Sequence, residues 1–565
     1  MSEYKPIPIG IEDFKRLIDD GYYFVDKTLI IKELIDMKGM VNLYTRPRRF
    51  GKTLNMSMLR RFFEKTEEDN SYLFDGLAIA EAENKYCKYM GQYPVISISL
   101  KSMKQVSYED AFDKFKDIII SEFERHDYIL SSDKLKPRQR KVFENIYSDK
   151  AYDSVYNTAL KLLSDCLYEV YGKKVIVLID EYDVPLENAY FNGFYEDMIH
   201  LVRSVFESVL KTNDSLEFGV LTGCLRISKE SIFTGLNNPK VYSVSDAAFS
   251  QYFGFTEQEV RKLAEYYNLS ERFDEIKTWY DGYKFGKTEI YNPWSVLNYI
   301  KDAVADNSCI PDAYWVNTSS NSIIHELVVK SDRRIREDIE KLIKGDSIEK
   351  PLYQDVTYVN MNVKSDYIWS FLLHTGYLKP VRIYKKGIQT YFSAVIPNLE
   401  IVTIYENTFR QWFDESIRVA DKSILLSAIL DGDVETFELE VNRWLLKSIS
   451  YHDGYENFYH GFLVGLLEYS DEYLVESNRE SGTGRNDIVI KNVLTHEMAV
   501  VLEIKSVDKN ETLDSMCDIA LKQIDEKQYE ANLGYEGYKK IIKYGIAFEG
   551  KRCKIKKDKK FSAYK

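Results

Sequence analysis

At 565 residues the chain is too long for one hydrophobic core, and at about 150 residues per domain it should divide into roughly three or four. Its 45% hydrophobic and 29% charged residues are ordinary globular usage, which excludes wholesale disorder and the fibrous classes. The formal charge of −13 argues against a surface that coats nucleic acid throughout, but leaves room for a local basic channel. No uncharged apolar run approaches the ~18 residues of a membrane helix; the longest are 175–179 and 461–467. The opening MSEYKPIPIGIEDFKR mixes charges with two prolines and lacks an apolar stretch, so no secretory signal is expected. Six scattered cysteines without a CxxC pair read as reduced thiols of a cytoplasmic protein. The seven histidines form no HxxxH or Cys/His cluster, and no zinc site is expected.

Taken in order, residues 1–250 alternate short apolar runs with helical patterns, as α/β domains do. Strands are expected at 40–44, 93–100, 174–179 and 217–221, with amphipathic helices such as 54–64 and 152–171 between them. Residues 251–345 read mainly as helix, a lid, interrupted by WYDGYKFGKTEIYNPW at 279–294. Residues 346–445 form a connecting, mainly helical domain with short strands at 377–384 and 389–396. From 446 to 565 the pattern is helix, two strands, a long helix and two strands. The last fifteen residues, KRCKIKKDKKFSAYK, hold eight Lys/Arg against one Asp and read as a solvated tail.

The first expected strand runs into TRPRRFGKTLNMSMLRRFFE (45–64). A P-loop needs backbone N–H groups around a phosphate, a Lys on its oxygens, a Ser/Thr on Mg²⁺ and a helix N-terminus behind. Gly51, Lys52 and Thr53 match the end of that pattern, but Arg46 stands where its first glycine belongs. A bare GK[ST] should arise by chance in roughly one chain in three of this length. The chain carries its own decoy, because FGKT recurs at 285–288. That copy is followed by Ile290-Tyr291-Asn292-Pro293, which should not start a long helix, and it is read as a turn. Support for the first copy comes from KKVIVLIDEYD (173–183), a buried parallel strand delivering Asp180 and Glu181 to its C-terminal edge. There a Mg²⁺-bridging Asp and a water-orienting Glu are needed. The strand at 217–221 ends near Thr222, Arg226 and Lys229, which could sense a γ-phosphate.

The stretches PIGIEDFKRLI, YYFVDKT, TRPRRFGKT, VLIDEYDVPL and TGCLRISKESIFTGLNN resemble the bacterial AAA-ATPase-like family, whose members commonly carry a C-terminal PD-(D/E)xK nuclease domain. The likeness covers about 4–240 and 445–550, and the unusual TRPRRFGKT loop is the family's own replacement for a glycine-first P-loop. It implies an ATP-binding α/β domain, a P-loop NTPase with a parallel sheet flanked by helices. ATP with Mg²⁺ would be the ligand of Arg46, Gly51, Lys52, Thr53, Asp180, Thr222 and Arg226, and Glu181 would serve hydrolysis.

In SNRESGTGRNDIVIKNVLTHEMAVVLEIKS (477–506), read as two strands joined by a turn, Glu503 and Lys505 are two apart on a strand and share a face. The bare [DE]xK pattern is common, with roughly nine expected by chance among 89 acidic residues. The content lies in Gly484-Arg485, then Asp487 opening a strand, then Glu-x-Lys ending the apolar run 499–502. Phosphodiester hydrolysis needs carboxylates on a metal and a cation near water. The resemblance puts Asp487, Glu503 and Lys505 in the metal and lysine positions of a restriction-endonuclease-like α/β domain. It adds Glu456 as a helical metal ligand and Gln523 as an accessory group, with Mg²⁺ or Mn²⁺ as the ion. The reading is a Mg-dependent nuclease whose cutting follows nucleotide state. DNA is expected before RNA, with no membrane partner and with self-association left open. The alternative is a nucleotide-gated binding or signalling protein whose nuclease fold does not cut.

Overall fold

The computed structural model describes residues 4–211, 213–226, 239–315, 333–354, 366–408, 423–445, 456–467, 473–481, 484–507, 511–527, 531–558 and 562–563. The chain divides into two compact units, one of residues 1–321 with 345–404 and one of 322–344 with 405–565.

In the first unit five parallel strands carry the architecture: β1 (Val41–Thr45), β2 (Val95–Ser99), β3 (Val175–Asp180), β4 (Leu216–Gly223) and β5 (Lys240–Tyr242). Their order is β2-β3-β4-β1-β5. Parallel neighbours need crossovers, supplied among others by the helices Lys52–Phe63, Tyr108–Glu124, Ala159–Tyr171 and Tyr195–Leu210. β1 and β3 are buried along their whole length, so VIVLI is an unbroken apolar run and not an alternating one. β4 lies between β1 and β3, and the C-terminal ends of all three meet at one edge. The expected helix over 152–171 is in fact two, Asp153–Tyr156 and Ala159–Tyr171, because Thr158 leaves the helical region (φ −119°, ψ 7°).

The second FGKT is the turn of a hairpin, β6 (Tyr283–Phe285) with β7 (Thr288–Ile290). Gly286 has φ +56°, and a Cβ there would stand 2.6 Å from Ala247 Cα, so the turn requires glycine. The expectation that Asn292-Pro293 starts no long helix is overturned. Pro293 opens a 13-residue helix to Ala305, with the Asn292 side chain accepting from Trp294 N–H. Proline at the first helical position loses only a donor that would go unused, and its φ is already helical. The helices Glu257–Tyr266, Phe273–Tyr280 and Pro293–Ala305 share an apolar core with Tyr4, Ile7, Ile9, Tyr23 and Val25, so the first 25 residues help to build the helical module. A small antiparallel sheet of β8 (Ile348–Pro351), β9 (Lys379–Lys386) and β10 (Gln389–Val395) completes this unit, in the order β8-β10-β9.

The second unit is built on β11 (Tyr473–Ser481), β12 (Gly484–Asn492), β13 (Met498–Ser506), β14 (Lys540–Glu549), β15 (Arg552–Lys557) and β16 (Ser562–Ala563). The first five lie in chain order, and β16 pairs with β14. Only β13 and β14 are parallel, joined through the helix Leu513–Glu526. Two expectations change. Three strands precede that helix, not two, because the polar run ESNRES belongs to β11, an edge strand that can carry polar residues on both faces. The described part of the basic tail is ordered into strands. Residues 552–557 form β15, with Cys553 and Ile555 buried and the lysines alternating outward.

Candidate nucleotide-binding and nuclease sites

At the C-terminal edge of the first sheet, β1 passes into residues 46–51 and then into the helix Lys52–Phe63. Arg49 (φ +69°) and Gly51 (φ +81°) are left-handed, a loop form in which successive N–H groups converge on an anion. Thr53 donates its hydroxyl proton to Asp180 Oδ2 at 2.8 Å. Thr222, at the end of β4, donates to the other oxygen of Asp180, and its hydroxyl oxygen also accepts from Glu181 N at 3.4 Å. Thr222 is thus spent on holding the carboxylate edge. Glu181 occupies the left-handed region at φ +54°, a strained state for a residue with a side chain.

Lys52 is not in a solvent-filled cradle; it is 3% exposed. Its Nζ donates to the carbonyls of Arg46 (3.2 Å) and Pro47 (3.1 Å) and lies 3.5 Å from Glu181 Oε1. Burial opposes its charge, but Cys224, Glu181, Asp183 and Asp180 around it hold its pKa above the ordinary lysine value. Burial, together with the charge of Glu181, raises the pKa of Asp180, against its two threonine bonds and Lys52. Glu181 moves the other way: burial would raise it, and Lys52 and Arg48 bring it below the usual range. Asp183, unmarked in the sequence reading, is buried and accepts from the N–H groups of Cys224 (2.7 Å) and Leu225 (3.0 Å), which fixes the segment after β4. Its place two residues beyond Asp-Glu was a readable signal. Arg226 follows that segment, half-buried, and Lys229 lies outside the described residues.

Arg46 is a correction. Its side chain is fully buried and turns away from the loop, donating to Thr45 O (2.9 Å) and Tyr242 O (2.7 Å). The guanidinium sits over Phe253 and Phe285, 5.1 and 5.0 Å from the ring centres, and burial brings its pKa down to about 10. Where the glycine-first pattern has its first glycine, this chain carries a cation that is packed in the core. The two FGKT copies meet here, with Phe50 packed 5.3 Å from Phe285 and 4.9 Å from Tyr283.

A cavity of about 290 Å³ opens over the loop. Six cations line it (Lys27, Arg48, Arg49, Lys52, Lys101 and Lys104) against two carboxylates, Glu12 and Glu181. That surplus suits a polyanion. Its apolar wall includes Ile11, Tyr23, Val25, Trp294 and Leu297. Thr53 and Asp180, a hydroxyl and a carboxylate already in contact, are hard oxygen donors that fit Mg²⁺.

In the second unit Asp487 lies in the middle of β12 and does not open it. It stands one position beyond the Ile488↔Leu502 pair, which sets it across from Glu503 of β13. Its Oδ2 accepts from Ile504 N–H at 2.8 Å, and His460 Nε2 lies 2.8 Å from its carbonyl oxygen. Glu503 is 1% exposed, and its Oε1 takes both Lys505 Nζ (3.1 Å) and the Gln523 amide. Gln523 reaches it because Gly545, level with Glu503 on β14, has no side chain. A Cβ there would stand 2.3 Å from Cys517 O on the helix that carries Gln523. Asp487, Glu503, Lys505 and Gln523 are therefore one cluster. Glu456 is the first residue of the helix Glu456–Leu467; its side chain lies outside the described residues, as does that of Arg485. Among the described residues no group of three or more His, Cys, Asp or Glu could hold a metal ion. Two carboxylates nevertheless fit a Mg²⁺ that keeps water and substrate oxygens for its other positions. No helix among the described residues is long and apolar enough to cross a membrane.

Residues 8–233 match the model of the family described as "Predicted AAA-ATPase", and residues 454–558 that of the PD-(D/E)XK nuclease superfamily. An uncharacterized protein in the vnfD 5' region of Azotobacter chroococcum mcd 1 is 26% identical over 402 residues, 70% of this chain and 68% of that protein. No solved structure matches the chain. Together with the parallel sheet and the carboxylate–lysine cluster of the second sheet, these matches give the chain an arrangement of an N-terminal AAA-ATPase-like region followed by a C-terminal region like those of the PD-(D/E)XK nuclease superfamily.

Proposed function

We propose that the protein binds and hydrolyses ATP at Lys52, Thr53, Asp180 and Glu181, and cleaves nucleic acid at Asp487, Glu503 and Lys505, with cutting governed by nucleotide state. The observation that carries the first half is the convergence of Lys52, Thr53, Asp180, Glu181 and Thr222 at one sheet edge beneath a cationic cavity. Lys52 neutralises phosphate oxygens, and Thr53 with Asp180 would hold Mg²⁺, which screens phosphate charge when bound. Glu181, kept ionised by Lys52, orients the attacking water.

In the second site Asp487 and Glu503 would hold Mg²⁺ or Mn²⁺, which polarises the scissile phosphate when bound. Lys505, fixed by Glu503, supplies the cation beside the water. DNA is the favoured substrate and the bacterial cytoplasm the setting. The test is cleavage of a panel of single- and double-stranded DNA and RNA by the full chain, in Mg²⁺, Mn²⁺ or EDTA, with and without ATP. Metal-dependent products that respond to ATP support the whole reading. Binding without cleavage under every condition would replace it with a nucleotide-gated binding protein.

A further inference from the structure

The cations around the first cavity are not equivalent. Lys27 is bound to Glu259 at 2.6 Å and to Gln251 O at 2.7 Å, Arg48 to Glu187 at 2.5 Å, and Lys101 to Glu12. Lys52 is held by two loop carbonyls. Lys104 stands exposed at the rim. Arg49 differs from all of them. It is half-buried, no carboxylate among the described residues lies within 4.0 Å of its guanidinium, and the group rests on the Trp294 ring, 4.2 Å from its centre. Trp294 is a fixed plate: its backbone N–H donates to Asn292 Oδ1 (3.0 Å) and its indole N–H to Tyr314 O (3.1 Å). Both residues line the cavity. The loop also holds Arg49 left-handed at φ +69°, a conformation costing about 1–3 kcal/mol that persists only where its surroundings enforce it.

A planar fork of N–H donors with no carboxylate within 4.0 Å among the described residues, carried on the loop and resting on an aromatic face, is matched to phosphate oxygens. We propose that Arg49 is an arm carried by the loop itself that distinguishes a nucleoside triphosphate from a diphosphate, parked on Trp294 until a terminal phosphate draws it off. The inference rests on reading the first cavity as a nucleotide site. Leaving the ring exchanges a cation–π contact for charge-assisted hydrogen bonds, and under the proposal it is the γ-phosphate of the triphosphate that makes the exchange favourable.

The test is equilibrium binding of MgATP and MgADP to the full chain, for the wild type, Arg49→Ala and Arg49→Lys, with thermal melts as a control for folding. Arg49→Ala should weaken MgATP binding roughly 10- to 100-fold, the worth of one or two charge-assisted bonds, and change MgADP binding less than about 3-fold. Arg49→Lys should recover only part, because a point charge cannot reproduce the fork. Trp294 emission, taken as the difference between wild type and Trp294→Phe, should change with MgATP and not with MgADP. An equal loss for both nucleotides, or none, overturns the arm and leaves the site standing. Failure of the wild type to bind either nucleotide overturns the site itself.

Discussion

The hydroxyl of Thr53 and the carboxylate of Asp180, 127 positions apart in sequence, are joined by a 2.8 Å hydrogen bond that ties the phosphate loop to β3. Both groups are hard oxygen donors that suit Mg²⁺. Thr53→Val should therefore remove the Mg²⁺-dependent part of nucleotide affinity, while the affinity measured in EDTA stays within about 3-fold. It also takes one donor from a buried carboxylate, at a cost to stability of about 1–3 kcal/mol. Titrations with and without metal, beside a chemical denaturation curve, separate the two effects.

Lys52→Ala should weaken ATP binding by at least about 100-fold, through loss of the charge on the phosphate oxygens. The structure adds a second consequence. Lys52 is buried among Asp180, Glu181 and Asp183, and removing it takes from those carboxylates the cation they share. The first unit should lose about 3–5 kcal/mol of stability at neutral pH, and less near pH 4, where the carboxylates can take up protons. Melting curves at the two pH values check this.

Glu181→Gln should keep ATP affinity within a few-fold and slow hydrolysis by about 100-fold or more, since an amide orients water but does not take its proton. Gln keeps the size of the side chain and removes its charge, from Lys52 as well as from the water. Turnover equal to the wild type would assign the water to another group.

Asp487→Asn and Glu503→Gln each remove one negative charge from a hard-cation site, and cleavage should fall by about 100-fold or more while ATP binding holds. Lys505→Ala should also stop cutting but leave Mn²⁺ binding measurable, because lysine is not a metal ligand. Nucleic-acid binding should survive all three changes and weaken steeply with salt.

Glu400 is a pH probe of the first unit. It is fully buried, accepts from Ser295 Oγ (2.8 Å) and Trp315 N–H (2.8 Å), and burial pushes its pKa up to about 7. A carboxyl raised on folding contributes fully below its unfolded pKa near 4.5 and loses that contribution as pH rises toward 7. The effect is worth about 3 kcal/mol. Glu400→Gln should flatten the fall in melting temperature between pH 5 and pH 8.

The loop, Lys52, Thr53 and the Asp180-Glu181 pair were legible because each is a contiguous strand–turn signal. Arg46 was not, because the cage that takes it comes from Phe253 and Phe285, some 200 residues further on. The helix at Pro293 is hidden in the sequence because proline reads as a breaker, whereas Asn292 before it is a cap. β15 was in fact written in the sequence, since R-C-K-I-K alternates with the period of a strand, but the density of lysine masked it. β11 carries no such pattern; only its pairing with β12 defines it. The Glu503–Gln523 contact depends on helix packing, which no local motif encodes.

Gly545 gives that packing a mechanical meaning. The helix Leu513–Glu526 rides directly on strand backbone at that point, with no cushion between Cys517 O and the sheet. The cluster of Asp487, Glu503, Lys505 and Gln523 is thus calibrated by an absence. Any carbon added there would act as a shim, lifting the helix by about 1 Å and taking the Gln523 amide off Glu503, a displacement of the size that costs a catalytic site about two orders of magnitude. The two carboxylates stand on strands and not on that helix, so the change would reach them through Gln523 alone, from a position with no side chain.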